Sequence, residues 1–256
     1  MAYGLQIKNA VTGSVQIDET YRNLAFKQKG TLTLSSSPGG SPQAGIGTPG
    51  SNGVFAITAS GADFVNPVIV FYSPNTHIAL IKRRLVNATT FHIQVVAYGS
   101  DAPNKTFQYF LFDVPPAPSG TGYGLRVMDS AGNLTFDSNL KYMKVLNPTT
   151  TWVYDTGSST HILANGAPFD SKQNIETHKV YTHTFPSSGT YGFMFNRAGY
   201  KIDRVDNYYT SWHFEAKNTS GTTIESWYLP GFQFNPVGSS WPAVTPDISF
   251  VDLAGL

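Results

Sequence analysis

Tyr123-Gly124-Leu125-Arg126-Val127-Met128-Asp129-Ser130-Ala131-Gly132-Asn133-Leu134-Thr135-Phe136-Asp137 is the stretch on which the fold is read. A short alternating run leads into an Asp-to-Gly turn signal, and a second alternating run returns to an acidic residue. That is the pattern of a β-hairpin. The chain opens with the same pattern, Tyr3-Gly4-Leu5-Gln6-Ile7-Lys8-Asn9-Ala10-Val11-Thr12-Gly13-Ser14-Val15-Gln16-Ile17-Asp18. With one extra residue in the first turn, the two stretches match in their apolar, turn and acidic positions.

A fainter echo follows at the same offset. Phe91-His92-Ile93-Gln94 matches Trp212-His213-Phe214-Glu215, and Gln108-Tyr109-Phe110-Leu111 roughly matches Trp227-Tyr228-Leu229. Self-similarity at a fixed offset predicts a duplicated unit. Between the copies lies Val114-Pro115-Pro116-Ala117-Pro118-Ser119-Gly120-Thr121-Gly122, where prolines end a strand and stiffen a linker. The expectation is therefore an all-β chain of two tandem antiparallel β-sandwich-like domains, residues 1–118 and 122–256.

The rest of the chain agrees with strands. Helical periodicity is nearly absent, while period-two runs recur at Leu5-Gln6-Ile7-Lys8, Thr31-Leu32-Thr33-Leu34 and Phe91-His92-Ile93-Gln94-Val95. Turn signals such as Asn196-Arg197-Ala198-Gly199 and Asn218-Thr219-Ser220-Gly221 connect them as hairpins. Residues 30–62 carry no charge, and 35–53 are mostly Gly, Pro and Ser. Such a stretch offers little to bury, so a long exposed loop is expected there, either loose or ordering as an arm on a neighbouring subunit.

Composition removes several function classes. The 256 residues include 17 Lys and Arg against 16 Asp and Glu, without the basic excess that capture of nucleic acid requires. With no cysteine there is no disulfide scaffold, thiolate nucleophile or Cys-type zinc site. No apolar run approaches the roughly 20 residues of a spanning helix, and Met1-Ala2-Tyr3-Gly4-Leu5 begins an alternating segment rather than a signal-peptide core.

Motifs with chemical meaning are few. Gly45-Ile46-Gly47-Thr48-Pro49-Gly50 spells a dinucleotide fingerprint, but no strand precedes it, no helix follows, and Pro49 removes an amide that would face phosphate. No cofactor is expected. Asp155-Thr156-Gly157-Ser158 resembles the active-site loop of pepsin-like proteases, whose chemistry needs two carboxylates sharing a proton. The chain has no second such loop, so a strand-ending turn is the reading preferred here. The six histidines, His77, His92, His161, His178, His183 and His213, follow no zinc spacing and read as scattered surface residues. No catalytic or metal site is expected. Lys82-Arg83-Arg84 reads as a solvated strand edge. Trp241, Trp227 and Tyr228 are the candidate binding residues, because large rings stack on sugars or anchor protein interfaces.

The repeated Tyr-Gly-Leu hairpin resembles the start of small β-rich virion proteins encoded among the tail genes of tailed bacteriophages. The resemblance covers each hairpin and the strand-rich style of the remainder. It departs from the family in the duplication. It implies a structural role in the virion tail, as a minor tail, tail-tip, baseplate or fibre-attachment protein made in the host bacterial cytoplasm. Its partners would be other tail proteins and further copies of itself in a homo-oligomer. A receptor- or carbohydrate-binding module at the tail, recognising a host surface glycan, is the alternative, and an aspartic-type or polysaccharide hydrolase a third reading.

Overall fold

The computed structural model describes residues 6–8, 15–18, 23–34, 53–97, 105–116, 123–155, 178–196, 200–205, 208–230 and 247–256. Most of the expected loop 35–53, residues 117–122 of the linker, Thr156 to Ser158 and Trp241 lie outside these. In chain order the strands are β1 (Gln6–Lys8), β2 (Val15–Asp18), β3 (Ala25–Leu34), β4 (Val54–Thr58), β5 (Val68–Tyr72), β6 (Ile78–Asn87), β7 (Thr90–Ala97), β8 (Lys105–Asp113) and β9 (Arg126–Met128). They continue as β10 (Leu134–Asp137), β11 (Lys144–Leu146), β12 (Thr149–Asp155), β13 (His178–Thr184), β14 (Tyr191–Phe195), β15 (Tyr200–Val205), β16 (Tyr208–Ser220), β17 (Thr223–Pro230) and β18 (Ile248–Asp252). The described residues form no helix. All-β architecture is as the alternating pattern predicts.

Two large antiparallel sheets carry the fold. One has the order β11-β18-β14-β5-β8-β3, and the other the order β12-β13-β17-β16-β6-β7-β4, with β15 added beside β16. Their facing sides share one apolar cluster. Ile69, Phe71, Phe107, Leu111, Phe193 and Phe250 come from the first sheet, and Ile57, Ile78, Leu80, Ile93, Ala216 and Ile224 from the second. This is a β-sandwich, and its interior is largely aromatic. Phe71 sits among Phe107, Phe193 and Phe195 with ring centroids 5.8 to 6.2 Å apart, in the tilted and edge-on geometries that suit the ring quadrupole.

The expected division at the proline linker is not how these strands pair. Both large sheets take strands from both sides of it: β5 lies beside β14, with Phe71 opposite Phe193, and β6 beside β16, with Ile78 opposite Ala216. The two stretches read as separate domains, 1–118 and 122–256, build a shared sandwich. The physical reason is burial. Strands β5 and β8 are apolar on both faces, with Phe71 and Leu111 turned to the interior and Val70, Phe110 and Phe112 turned the other way. Leu253, Met143 and Leu256 from after the linker help to cover the outer face of these strands, while β14 and β18 extend the sheet beside β5.

The second face of the six-stranded sheet has its own small cluster. Val70, Phe110, Phe112, Val251 and Leu253 are covered by Leu24, Phe26 and Met143 among others. Met143 arrives because residues 141–143 lie along the start of β3. The Phe26 amide donates to the Lys141 carbonyl at 2.6 Å, and the Met143 amide to the Leu24 carbonyl at 2.9 Å.

Strands β1 and β2, and likewise β9 and β10, pair as two-stranded sheets of their own. In the second, Asp129 organises the turn. Its carboxylate accepts the amides of Ala131 and Asn133, at 2.9 and 2.8 Å, while Gly132 takes a φ of 80° that only glycine adopts freely. At Asn218-Thr219-Ser220-Gly221 the strand runs further than the sequence signal implied. Ser220 pairs with Thr223, so the turn is tighter and Asn218 stays within β16.

Gly192 allows the close approach of β14 to β5. A Cβ there would stand 2.5 Å from Val70 Cγ1, 2.8 Å from Leu253 Cδ1 and 3.0 Å from the Phe71 carbonyl oxygen. Gly192→Ala is therefore expected to lower unfolding free energy by about 1 to 3 kcal/mol. Val65→Ala, at a side chain 63% exposed, is expected to stay within about 0.5 kcal/mol. Urea denaturation of both variants checks the contrast, and equal effects would refute the close-packing argument.

Candidate functional site

Of the residues singled out for binding, Trp227 and Tyr228 occupy adjacent positions in β17, an inner strand of the larger sheet. Trp227 lies between Val180 and Glu215 in register, and Tyr228 between Lys179 and Phe214. Trp241 lies outside the described residues. Asp155 is the last residue of β12, opposite His178. Among the described residues no group of three or more His, Asp and Glu side chains is placed to hold a metal.

The polar chemistry that the structure does assemble is internal. His183 is 5% exposed and is no surface histidine, which corrects the sequence reading. It faces the core from β13, with its ring 4.5 Å from that of Phe250. Its Nδ1 meets Thr150 Oγ1 at 2.9 Å, and its Nε2 meets Ser226 Oγ at 2.8 Å. The row thus crosses three adjacent strands, β12, β13 and β17. In the neutral ring one nitrogen donates and the other accepts, and a hydroxyl plays either part. A hydroxyl bonded to an imidazole is also the beginning of a nucleophilic site. Here Ser226 is fully buried, so the pair acts as a polar strut between strands.

Burial lowers the His183 pKa from 6.5 to about 4. Between those values the unfolded chain takes a proton that the native ring refuses. Stability from this group is therefore complete above pH 6.5, falls as pH drops toward 4, and changes no further below that.

A second knot ties the sheets together at one end. The Asn218 amide donates to the Ser73 carbonyl at 2.9 Å, and the Ser73 amide donates back to Asn218 Oδ1 at 2.8 Å. Asn218 Nδ2 donates to the Tyr191 carbonyl at 2.6 Å, and Ser73 Oγ to the Thr76 carbonyl at 2.6 Å. Asn218 belongs to the larger sheet, Tyr191 to the smaller, and Ser73 to the turn that passes between them. Nothing in the composition marked Asn218 out. Only its place in a turn signal was visible, and the fold uses it as a tie instead.

Asp113 plays a similar part at the opposite end of β8, where its carboxylate accepts the amides of Val65 and Asn66, both at 2.8 Å. In the second hairpin Asp137 accepts the Asn139 amide at 2.9 Å and Arg126 Nε at 2.9 Å. The Asn139 amide is the larger reason that its carboxyl is held below the usual range, with the Arg126 guanidinium adding to it. The acidic residue ending the repeated motif is therefore structural.

What remains for function is outward-facing. Tyr123 is fully exposed, and Leu125 and Met128 are 44% and 39% exposed, all within the second hairpin segment. The end of the β6-β7 hairpin is open as well, with residues 83–89 exposed. Comparison with family models, curated proteins and solved structures finds no match for the chain.

Two outcomes test this internal chemistry. On lowering the pH from 6.5 to 4, the native chain is expected to lose about 3 kcal/mol more than His183→Gln, read as urea midpoints at each pH. Parallel curves for the two proteins would refute the buried-imidazole account. Asn218→Ala leaves the Ser73 amide and the Tyr191 carbonyl buried without partners, and is expected to cost about 2 to 5 kcal/mol by the same measurement.

Proposed function

We propose that this chain is a non-enzymatic structural component of a bacteriophage tail, acting through protein–protein assembly as a homo-oligomer in contact with other tail proteins. The observation that carries the reading is the shared geometry of the two hairpins. Gln6 pairs with Asp18, Ile7 with Ile17 and Lys8 with Val15, skipping Gln16. Arg126 pairs with Asp137, Val127 with Phe136 and Met128 with Leu134, skipping Thr135. Position for position these are one register with one bulge in the same place, and they lie on the residues that carry the resemblance to virion tail proteins.

The second hairpin supports an assembly role in another way. Three apolar side chains within six positions, Tyr123, Leu125 and Met128, stand in solvent, although both β9 and β10 bury residues, Val127 and Leu134. Exposed apolar groups on an otherwise well-packed element suit a contact with another protein. The buried serine, histidine and acidic residues described above are engaged in holding strands together, which also suits a structural protein.

Peptide mass spectrometry of purified virions from the encoding phage is expected to find the chain in the particle, and its absence would sink the proposal. The triple variant Tyr123→Ser, Leu125→Ser, Met128→Ser is expected to lower incorporation roughly tenfold or more, with its urea midpoint unchanged. Undiminished incorporation would move the contact away from this hairpin.

A further inference from the structure

The larger sheet ends in β12 on one side and β4 on the other, and the smaller sheet ends in β11 and β3. Both terminal strands of the smaller sheet carry lysines, Lys144 in β11 and Lys27 and Lys29 in β3, a common means of keeping edges from pairing. Strand β15, added beside β16, carries Lys201, Asp203 and Arg204. Strand β12 is different. Its sequence, Thr149-Thr150-Thr151-Trp152-Val153-Tyr154-Asp155, has no charge before its last residue and no proline, and consists of the β-branched and aromatic residues that favour strands.

This edge is also in solvent. Strand β12 pairs with β13 through all seven residues without an irregularity, and has no strand on its other side among the described residues. Thr149, Thr150 and Thr151 are each exposed. Neighbouring positions of a strand lie on opposite faces, so exposure at three in succession means that water reaches the edge from both. Thr150 is exposed although its hydroxyl meets the buried His183 ring. Strand β4 is uncharged too, but it is covered. Val54 and Ile57, on opposite faces of it, are 1% and 3% exposed, and the Thr58 carbonyl accepts Gln28 Nε2 at 3.0 Å.

Strand direction decides how a second copy would fit. The seven strands from β12 to β4 are joined by six antiparallel steps, so β12 and β4 run the same way. Head-to-tail contact would therefore set β12 beside the next copy's β4 as a parallel pair. A two-fold axis sets β12 beside β12 as an antiparallel pair, like every described ladder of this fold.

We propose that β12 is a self-association edge, through which two copies of this chain join across a two-fold axis and run their larger sheets into one. All seven residues pair when the axis passes Trp152. Thr151 of one copy is then opposite Val153 of the other, Thr150 opposite Tyr154, and Thr149 opposite Asp155. No charge meets its like in that register, because the two Asp155 residues fall at opposite ends of the ladder. The edge thus complements itself, and it carries no charge by which to select a different protein. The inference rests on the assembly role proposed above and names the contact between copies, separate from the contact made by the second hairpin.

Sedimentation velocity of the full chain over a concentration series reads association for the native chain, Thr151→Lys, Thr151→Glu and an equimolar mixture of the two variants. Across the axis the two residues 151 are diagonal neighbours on one face, with side chains about 7 to 8 Å apart. Like charges there are expected to weaken association roughly tenfold or more in each variant alone, and the mixture to restore it. Urea midpoints of both variants are expected to match the native chain, since Thr151 is exposed and lies on the face away from His183. Exchange at alternate amides of 149–155 is expected to slow in the dimer. A monomer at every concentration would overturn the proposal and leave the edge to a strand of another protein. Association that neither variant weakens, or that the mixture fails to restore, would overturn it as well. Each of these results leaves the virion-composition test of the assembly role standing, so the two failures are distinguishable.

Discussion

Phe71 and Phe193 face each other across the ladder that joins β5 to β14, and the rest of the sandwich depends on that junction. Both rings are fully buried, and their contact is where residues from the two sides of the proline linker enter one sheet. The junction is tight because Gly192 has no Cβ to hold the strands apart. Once β5 and β14 are adjacent, β8 and β3 extend the sheet on one side and β18 and β11 on the other. The second sheet then packs over an interior that takes residues from both sides of the linker.

A core this apolar leaves its few polar groups with little water to fall back on, and the fold satisfies most of them, Gln94 Oε1 being buried without a hydrogen-bond partner. Asn218 joins the two sheets at one end, Asp113 holds the turn before β5, and His183 spans three strands of the larger sheet. These groups would attract notice in a search for catalytic residues. Their partners are backbone amides and carbonyls or the hydroxyls of Thr150 and buried Ser226, and their chemistry is consumed in holding strands in register. Surface contacts are left to outward groups such as the exposed apolar residues of the second hairpin.

Several features of the fold are legible in the order of residues alone. Alternation in Phe91-His92-Ile93-Gln94-Val95 correctly marks β7, with Ile93 and Val95 in the core. Asp129 to Asn133 is the turn its composition announces, and Lys82-Arg83-Arg84 does lie on a strand with exposed positions. The continuous apolar run Val68-Ile69-Val70-Phe71-Tyr72 holds a further signal. A strand without alternation is one buried on both faces, and here that means a second layer packed on the outer side of the sheet. The roles of His183 and Asn218 are not legible, because a polar residue in an alternating strand looks the same whether it meets solvent or a buried hydroxyl.

By itself, then, the sequence determined that this protein is built of antiparallel strands and where its sharpest hairpins turn, since period-two patterning and turn chemistry act over a few residues. It also determined that two of those hairpins are alike. Only the tertiary structure decided which strands became neighbours. Pairing across the linker depends on how much apolar surface each half leaves uncovered, and on whether a glycine lets two backbones approach. Those are properties of distant residues brought together, and no local pattern records them.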